Sequence, residues 1–329
     1  LSDAAARAPL FSTVVVNYRT EAYLARALES VAAQEPPSQI VLVNNGSPGL
    51  PPDALAKYPA LTVIANERNV GFARANNQGI AAARGRYVCV LNADAYLSPG
   101  FFAEVVRAFD AHPEVGWIAP KILRAGDPSV IDAAGHVFYR DRTAANRGAG
   151  ERDTKQYDTQ EYVFGATAAC ALYRRDMLDA LAVDGEVFDS DFFAYYEDVD
   201  LDWHANLQGF RCLYLPTAVA YHVGAGSGAR AGRALLVEAE KNRYLMMAKN
   251  DRLSSQVAAF LPLLVYELYH AAHVVAHPYL LSAAPRFFAL LPRALRKRRV
   301  IQSRAKARVA FAGRMYVRQS SLRDERGAR

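Results

Sequence analysis

From Ser12 to Ala111 the chain alternates short apolar runs with helical periods, and that alternation limits its fold more than any other feature. Ser12–Tyr18 (STVVVNY), Gln39–Asn45 (QIVLVNN), Leu61–Asn66 and Arg86–Asn92 (RYVCVLN) have the length and β-branched content of buried strands. Between them, Glu21–Gln34 places Leu24, Ala27, Leu28 and Val31 at helical spacing. Val70–Arg84 is an Ala-rich helix closed by Gly85, and Pro99–Ala111 follows the fourth strand as another. This order predicts an α/β fold with a mostly parallel sheet flanked by helices on both faces. Such sheets bind ligands beyond the carboxyl ends of their strands. The residues at those ends are Asn17, Tyr18, Asn44, Asn45, Asn92 and Asp94, polar throughout.

The second half is less regular. Residues 124–162, polar and Gly-containing, predict a loop or short hairpin. Val163–Tyr173 reads as one strand, Arg174–Leu181 as a short helix and Tyr196–Gln208 as a helix ended by Gly209. Arg211–Leu215 and Ala218–His222 read as two strands around Pro216. With 329 residues, 52% of them hydrophobic, the chain can bury a large core. Cys89, Cys170 and Cys212 lie far apart in apolar runs, the pattern of reduced cysteines in a cytoplasmic protein. The start, LSDAAARAPL, lacks the apolar stretch of a secretion signal.

Charge is segregated. Arg286–Arg329 holds 14 Lys/Arg against 2 Asp/Glu, a net of +12, while the preceding residues carry a net of −6. A basic tail on an acidic body expects an anionic partner. Val257–Leu291 is apolar but broken by Pro262, Pro278 and Pro285 and interrupted by Glu267, His270 and His273. That favours amphipathic helices lying on an anionic membrane surface, with Arg296–Arg299 toward lipid phosphates, over a spanning helix. Interleaved Phe287, Phe288, Leu290 and Leu291 fit a membrane better than nucleic acid, so no nucleic-acid partner is expected. We therefore expect residues 1–252 as the catalytic domain and 253–329 as a C-terminal helical extension.

The densest chemistry lies in Phe192–His222. Glu197, Asp198, Asp200 and Asp202 crowd behind Phe192, Phe193, Tyr195 and Tyr196. Carboxylates desolvated and set against one another rise in pKa, which suits a general base, although acidic residues also favour a helix N-terminus. His222 ends a strand and can complete a divalent metal site begun elsewhere. Asp94, after the fourth strand, can hold Mg²⁺ or Mn²⁺, and equally fits an ordinary turn. Asn76 and Asn77 stand inside a helix that gains nothing from them in propensity.

Together these segments resemble the family 2 inverting glycosyltransferases of the GT-A fold, especially bacterial rhamnosyltransferase-like members. The resemblance runs from Ser12 to His222 through VVVNYR, VLVNNGSPG, NERNVGFARANNQGI, GRYVCVLNADAYLSPGF, FGATAACALYRRDML, FDSDFFAYYEDVDLDW and GFRCLYLPTAVAYHVGAGS. It implies that Asn17 and Tyr18 border the nucleotide, that Asn44 stands where the family has an Asp reading the base, and that Arg74 and Asn76 lie near the diphosphate. It implies a metal motif at Asn92 and Asp94 completed by His222, Asp198 as catalytic base beside Glu197, and Gly165 and Ala166 on the acceptor side.

The implied reaction is metal-dependent transfer of a sugar from a dTDP- or UDP-sugar donor, with dTDP-β-L-rhamnose as best guess. The acceptor would be a hydroxyl of a glycan or lipid-linked molecule in cell-surface glycan synthesis, at the inner face of the bacterial cell membrane. Oligomeric state is left open. A nucleotidyltransferase would need a Gly-rich basic loop after the first strand, where NYRTEAY stands instead. A catalytically inactive sugar-nucleotide binder is suggested by Asn44 and Asn92 and opposed by the intact EDVD cluster.

Overall fold

The computed structural model of the chain describes residues 8–49, 57–224, 232–307 and 309. Strands β1 (Phe11–Asn17), β2 (Ser38–Asn45), β3 (Thr62–Asn66) and β4 (Tyr87–Asn92) form the parallel part of a ten-stranded sheet in the order β4-β1-β2-β3. Helices α1 (Glu21–Ala32), α2 (Phe72–Ala82) and α3 (Phe101–Ala111) connect or flank them. β1 is buried along its whole length because side chains from both faces meet helices. Phe11 stacks on Phe102 on one side, while Val14 faces Gly79 of α2 on the other. A β-carbon at Gly79 would lie 2.2 Å from Val14 Cγ1, so glycine lets α2 settle onto the sheet.

Beyond β4 the sheet becomes mixed. β5 (Ala95–Leu97), β6 (Val115–Arg124), β7 (Asp127–Ala133), β10 (Glu161–Val163), β11 (Cys170–Arg174) and β12 (Arg211–His222) complete it, and β8 (His136–Phe138) pairs separately with β9 (Ala144–Asn146). β11 runs antiparallel between β4 and β6, while β12 runs parallel to β6. The two strands expected around Pro216 are one, β12. Its register against β6 shifts between Leu215 and Val219, a bulge that accommodates a residue with no N–H to donate.

The expected strand Val163–Tyr173 is the larger difference: only its ends pair, as β10 and β11. Its middle turns backbone N–H groups toward two carboxylates. Ala166 donates to Asp202 and Ala168 donates to Asp198 at 3.0 Å.

Helices α4 (Arg175–Leu181), α5 (Glu197–Leu207) and α6 (Arg233–Asn250) cover the sheet's acidic end, followed by α7 (Leu253–Ala258), α8 (Phe260–Ala276) and α9 (Ala283–Arg304). The division expected at residue 252 does not mark a gap in packing. Ala294 and Ile301 of α9 share a hydrophobic cluster with Phe138, Phe192, Trp203, Leu245 and Met246.

A buried ionic cluster fastens the same helices. Lys249 of α6 bonds Asp189 at 2.5 Å and Asp200 at 2.7 Å, and Lys297 of α9 bonds Asp189 at 2.5 Å and Asp191 at 3.2 Å. Arg296 pairs with Asp184, and Arg298 donates to the Ala248 carbonyl. Much of the basic stretch expected to face lipid is therefore spent on protein contacts.

In α8 the polar face turns inward and the apolar face outward. Glu267 bonds Arg243 and Tyr244 of α6, and His270 meets Glu240. Phe260, Leu261, Leu264, Val265 and Leu268 are exposed, as are Leu281 and Phe288 nearby in sequence. Among the described residues, no single helix is long and apolar enough to cross a membrane.

Candidate active site

At the carboxyl ends of β1 and β2 the asparagines satisfy one another. Asn17 is fully buried and donates to Asn44 Oδ1 at 3.2 Å, while Asn44 donates onward to the Ser47 carbonyl. Asn17 is thus a brace beneath the rim, not a surface bordering a nucleotide, and Tyr18 is the exposed neighbour. Asn45 holds the turn before α2: its carbonyl oxygen accepts from Val70 N, and its amide donates to Asn69 and to the Gly71 carbonyl.

The helical asparagines divide in an unexpected way. Asn76 is buried, with its amide donating to the Phe72 carbonyl. Asn77 does the bridging, accepting from Val187 N and Phe188 N and donating to the Phe188 carbonyl. Arg74 points outward into a cavity of about 360 Å³ that Ser190, Asp191, Arg293 and Arg296 also line.

Asp94 and His222 do come together, and the strand pairing explains it. β5 turns back after Asp94 and runs antiparallel to the end of β12, with Ala95 opposite His222. Asp94 Oδ1 then lies 3.3 Å from His222 Nε2, and the Asn92 amide lies 3.5 Å from the same nitrogen. The other ring nitrogen, Nδ1, meets Asp132 Oδ2 at 2.9 Å. Burial opposes charge on this imidazole, but hydrogen bonds to Asp132 and Asp94 outweigh it and hold His222 at about 9.

This arrangement fits a divalent ion. A ligating histidine commonly gives its second N–H to a carboxylate, which fixes the ring and frees the other nitrogen for the metal. Asp132 is placed for that role, and Asp94 and Nε2 converge closely enough to share one ion. Among the described residues no group of three His, Cys, Asp or Glu side chains could hold a metal alone, so further oxygens would have to come from a ligand or water. Asp132 is absent from the sequence reading because residues 124–162 looked like a loop. The alternation in Val130–Ala133 was the available clue.

The acidic helix forms the third part. Phe193, Tyr195 and Tyr196 all have positive φ (62°, 70° and 67°), an unusual run for bulky residues. Two contacts hold it. The Phe193 carbonyl accepts from Phe72 N at 2.6 Å, and Asn242 of α6 donates to the carbonyls of Phe192, Ala194 and Tyr195. Gly71 permits the first contact, because a β-carbon there would lie 2.7 Å from the Phe193 ring.

The turn delivers Asp198 to the first turn of α5, partly exposed, with Oδ2 accepting from Ala168 N. The four carboxylates then separate. Glu197 is buried, and desolvation together with the Asp198 charge pushes its carboxyl well above the usual value. Asp200 belongs to the ionic cluster. Asp202 is fully buried against His136, and burial raises it to about 7 even against the pull of that imidazole. Gly165 and Ala166, expected on the acceptor side, are buried against Asp202. Only Asp198 combines exposure with a fixed carboxylate.

Comparisons with known proteins agree with this layout. The family model for glycosyl transferase family 2 matches residues 12–182, and the chain belongs to that family. It is 27% identical over 261 residues to the N-acetylglucosaminyl-diphospho-decaprenol L-rhamnosyltransferase of Mycobacterium tuberculosis, covering 71% of this chain and 83% of that one. A shorter match, 36% identical over 109 residues, joins 31% of it to 12% of the minor teichoic acid biosynthesis protein GgaB of Bacillus subtilis. In fold it is similar to S. aureus TarS 1-349, solved also with UDP-GlcNAc (TM-score 0.55, 16% identity, 89% of this chain and 88% of that one). It is also similar to the mannosyltransferase PcManGT of Pyrobaculum calidifontis in complex with GDP-Man and Mn²⁺ (TM-score 0.52, 17% identity, 91% and 88%). The chain is a GT-A glycosyltransferase similar to a rhamnosyltransferase.

Proposed function

We propose that this glycosyltransferase moves L-rhamnose from dTDP-β-L-rhamnose onto a hydroxyl of a lipid-linked glycan, inverting the anomeric centre. The observation that carries the proposal is the presence, at one sheet edge, of a partly exposed Asp198 and the convergent pair Asp94 and His222. Asp198 accepts the proton of the acceptor hydroxyl as that oxygen attacks the anomeric carbon, so one displacement inverts the centre. Ala168 N–H donates to Asp198 Oδ2 and fixes the direction of this side chain. Asp94 and His222, with Asn92 beside them, would hold Mg²⁺ or Mn²⁺, with Asp132 orienting the imidazole. Bound there, the ion would supply positive charge to the departing diphosphate. The rhamnosyl donor and polyprenyl-linked acceptor are supported by the mycobacterial relative, which matches over most of both chains. The test is transfer from dTDP-β-L-rhamnose, with UDP-GlcNAc and GDP-mannose as competitors, to a polyprenyl-diphosphate GlcNAc acceptor. Turnover with either competitor alone refutes the donor assignment.

We further propose that the C-terminal extension attaches the enzyme to the cytoplasmic face of the membrane, within reach of a lipid-linked acceptor. The outward apolar face of α8 supports this more than the basic stretch of α9, whose charges meet protein. The rest of the basic tail, from residue 310, lies outside the described residues.

A further inference from the structure

We propose that His136 is a positioning residue for Asp198, anchored from behind by Asp202. This rests on Asp198 being the base, and it concerns a residue outside the sequence reading. His136 is buried at the start of β8, where its backbone N–H donates to the Gly165 carbonyl. Nδ1 lies 2.7 Å from Asp202 Oδ2, and Nε2 faces Asp198 Oδ2 at 3.9 Å. The imidazole thus stands between two carboxylates one helical turn apart on α5.

The surroundings make that placement specific. Gly165 removes the β-carbon that would collide with Asp202, and the Ala166 and Ala168 N–H groups bind Asp202 and Asp198 in turn. Three backbone segments therefore serve one Asp–His–Asp row, more than a packed core histidine requires. Burial opposes charge on His136, but the Asp202 hydrogen bond and the two carboxylate charges overcome it, so the row keeps a proton near Asp198. Asn146 from β9 also bonds His136. The other titratable groups acting on the row are Glu197 on α5, Tyr196 just before it, Tyr173 on β11 and Cys212 on β12. Burial raises all four, none of them can carry positive charge, and His136 is the basic group of the set.

A cation there draws the Asp198 carboxylate into a single orientation. As Asp198 takes the acceptor proton, His136 retains its own, and no bond to His136 is made or broken.

The test uses the full chain labelled with ¹⁵N-histidine, following the His136 imidazole by long-range ¹H–¹⁵N correlation across pH. We expect its midpoint to lie above that of a free histidine and to fall by about one unit in Asp198→Asn, the scale for losing a nearby opposite charge. An unchanged midpoint overturns the proposal. If Asp198→Asn does not fold, the same His136 titration in Asp198→Ser reads the same coupling. Neither measurement needs donor or acceptor, so failure here is distinct from failure of the assigned reaction. In turnover assays with dTDP-β-L-rhamnose, His136→Gln should lower kcat about 10²-fold with donor KM unchanged. A fall in kcat matched by a like rise in donor KM marks a merely structural histidine and also overturns the proposal.

Discussion

Gly165 faces Asp202 so closely that a β-carbon on it would lie 1.7 Å from Oδ2. Since Asp202 is fully buried, it cannot swing into solvent to make room. Gly165→Ala should therefore displace Asp202 and with it His136. Overpacking of this kind costs about 1–3 kcal/mol. We expect a lower Tm and loss of turnover beyond what the remaining folded fraction explains. Wild-type stability and activity in the variant would show that the backbone near Gly165 yields freely.

Asp132 is expected to govern metal affinity without touching the ion. Asp132→Asn keeps the size of the side chain but removes the charge beside His222 Nδ1. Loss of such an outer carboxylate commonly weakens metal binding 10–100-fold, about the effect anticipated here. Calorimetric titration of Mn²⁺ in the presence of dTDP measures it. His222→Ala should weaken binding further, and equal Mn²⁺ affinity in wild type and both variants would remove the metal from this position.

The ionic cluster predicts how α6 and α9 come loose. Burial alone would raise Asp189, but Lys249 and Lys297 override it and hold this carboxyl far below the usual range. A folded pKa below the unfolded one gives stability that is present above about pH 4 and lost as pH falls through and below that value. Lys249→Ala leaves Asp189 and Asp200 buried without their shared cation, a change of about 3–5 kcal/mol. The mutant should unfold at lower denaturant at pH 7 and differ less from wild type at pH 3. The opposite pH trend would mean that the cluster contributes nothing to stability.

Membrane attachment should follow the apolar face of α8. Leu261→Glu with Leu268→Glu alters two side chains that are 56% and 65% exposed, so folding should be unaffected. Flotation with anionic liposomes should be lost in this double variant and survive higher salt in wild type, because screening acts on charge and not on apolar burial. Wild-type flotation in the variant would shift the attachment to residues beyond 309.

The sheet and its ligand edge were legible because β1, β2 and β4 are buried on both faces, which writes continuous apolar runs into the sequence. Asp94, Asp198 and His222 were legible because each stands at the end of such a run or in a charge cluster. Asp132 and His136 were not, since their short elements lie in a polar stretch and matter through partners 90 and 66 residues away. Asn17 shows why a strand-end asparagine is ambiguous in sequence: its amide can satisfy a neighbouring side chain, here Asn44, as readily as a ligand. The tail's charge count was sound, but composition does not say which side of a helix meets protein.

The central claim is that Asp198 takes the acceptor proton in an inverting transfer. The most direct measurement is the anomeric configuration and rate of product formation from dTDP-β-L-rhamnose and polyprenyl-diphosphate GlcNAc, followed by NMR for wild type and Asp198→Asn at matched Mn²⁺. The account predicts an α-L-rhamnoside from wild type and a kcat lower by at least about 10²-fold in Asp198→Asn with donor affinity unchanged. A β-linked product, or turnover in Asp198→Asn near that of wild type, would contradict it.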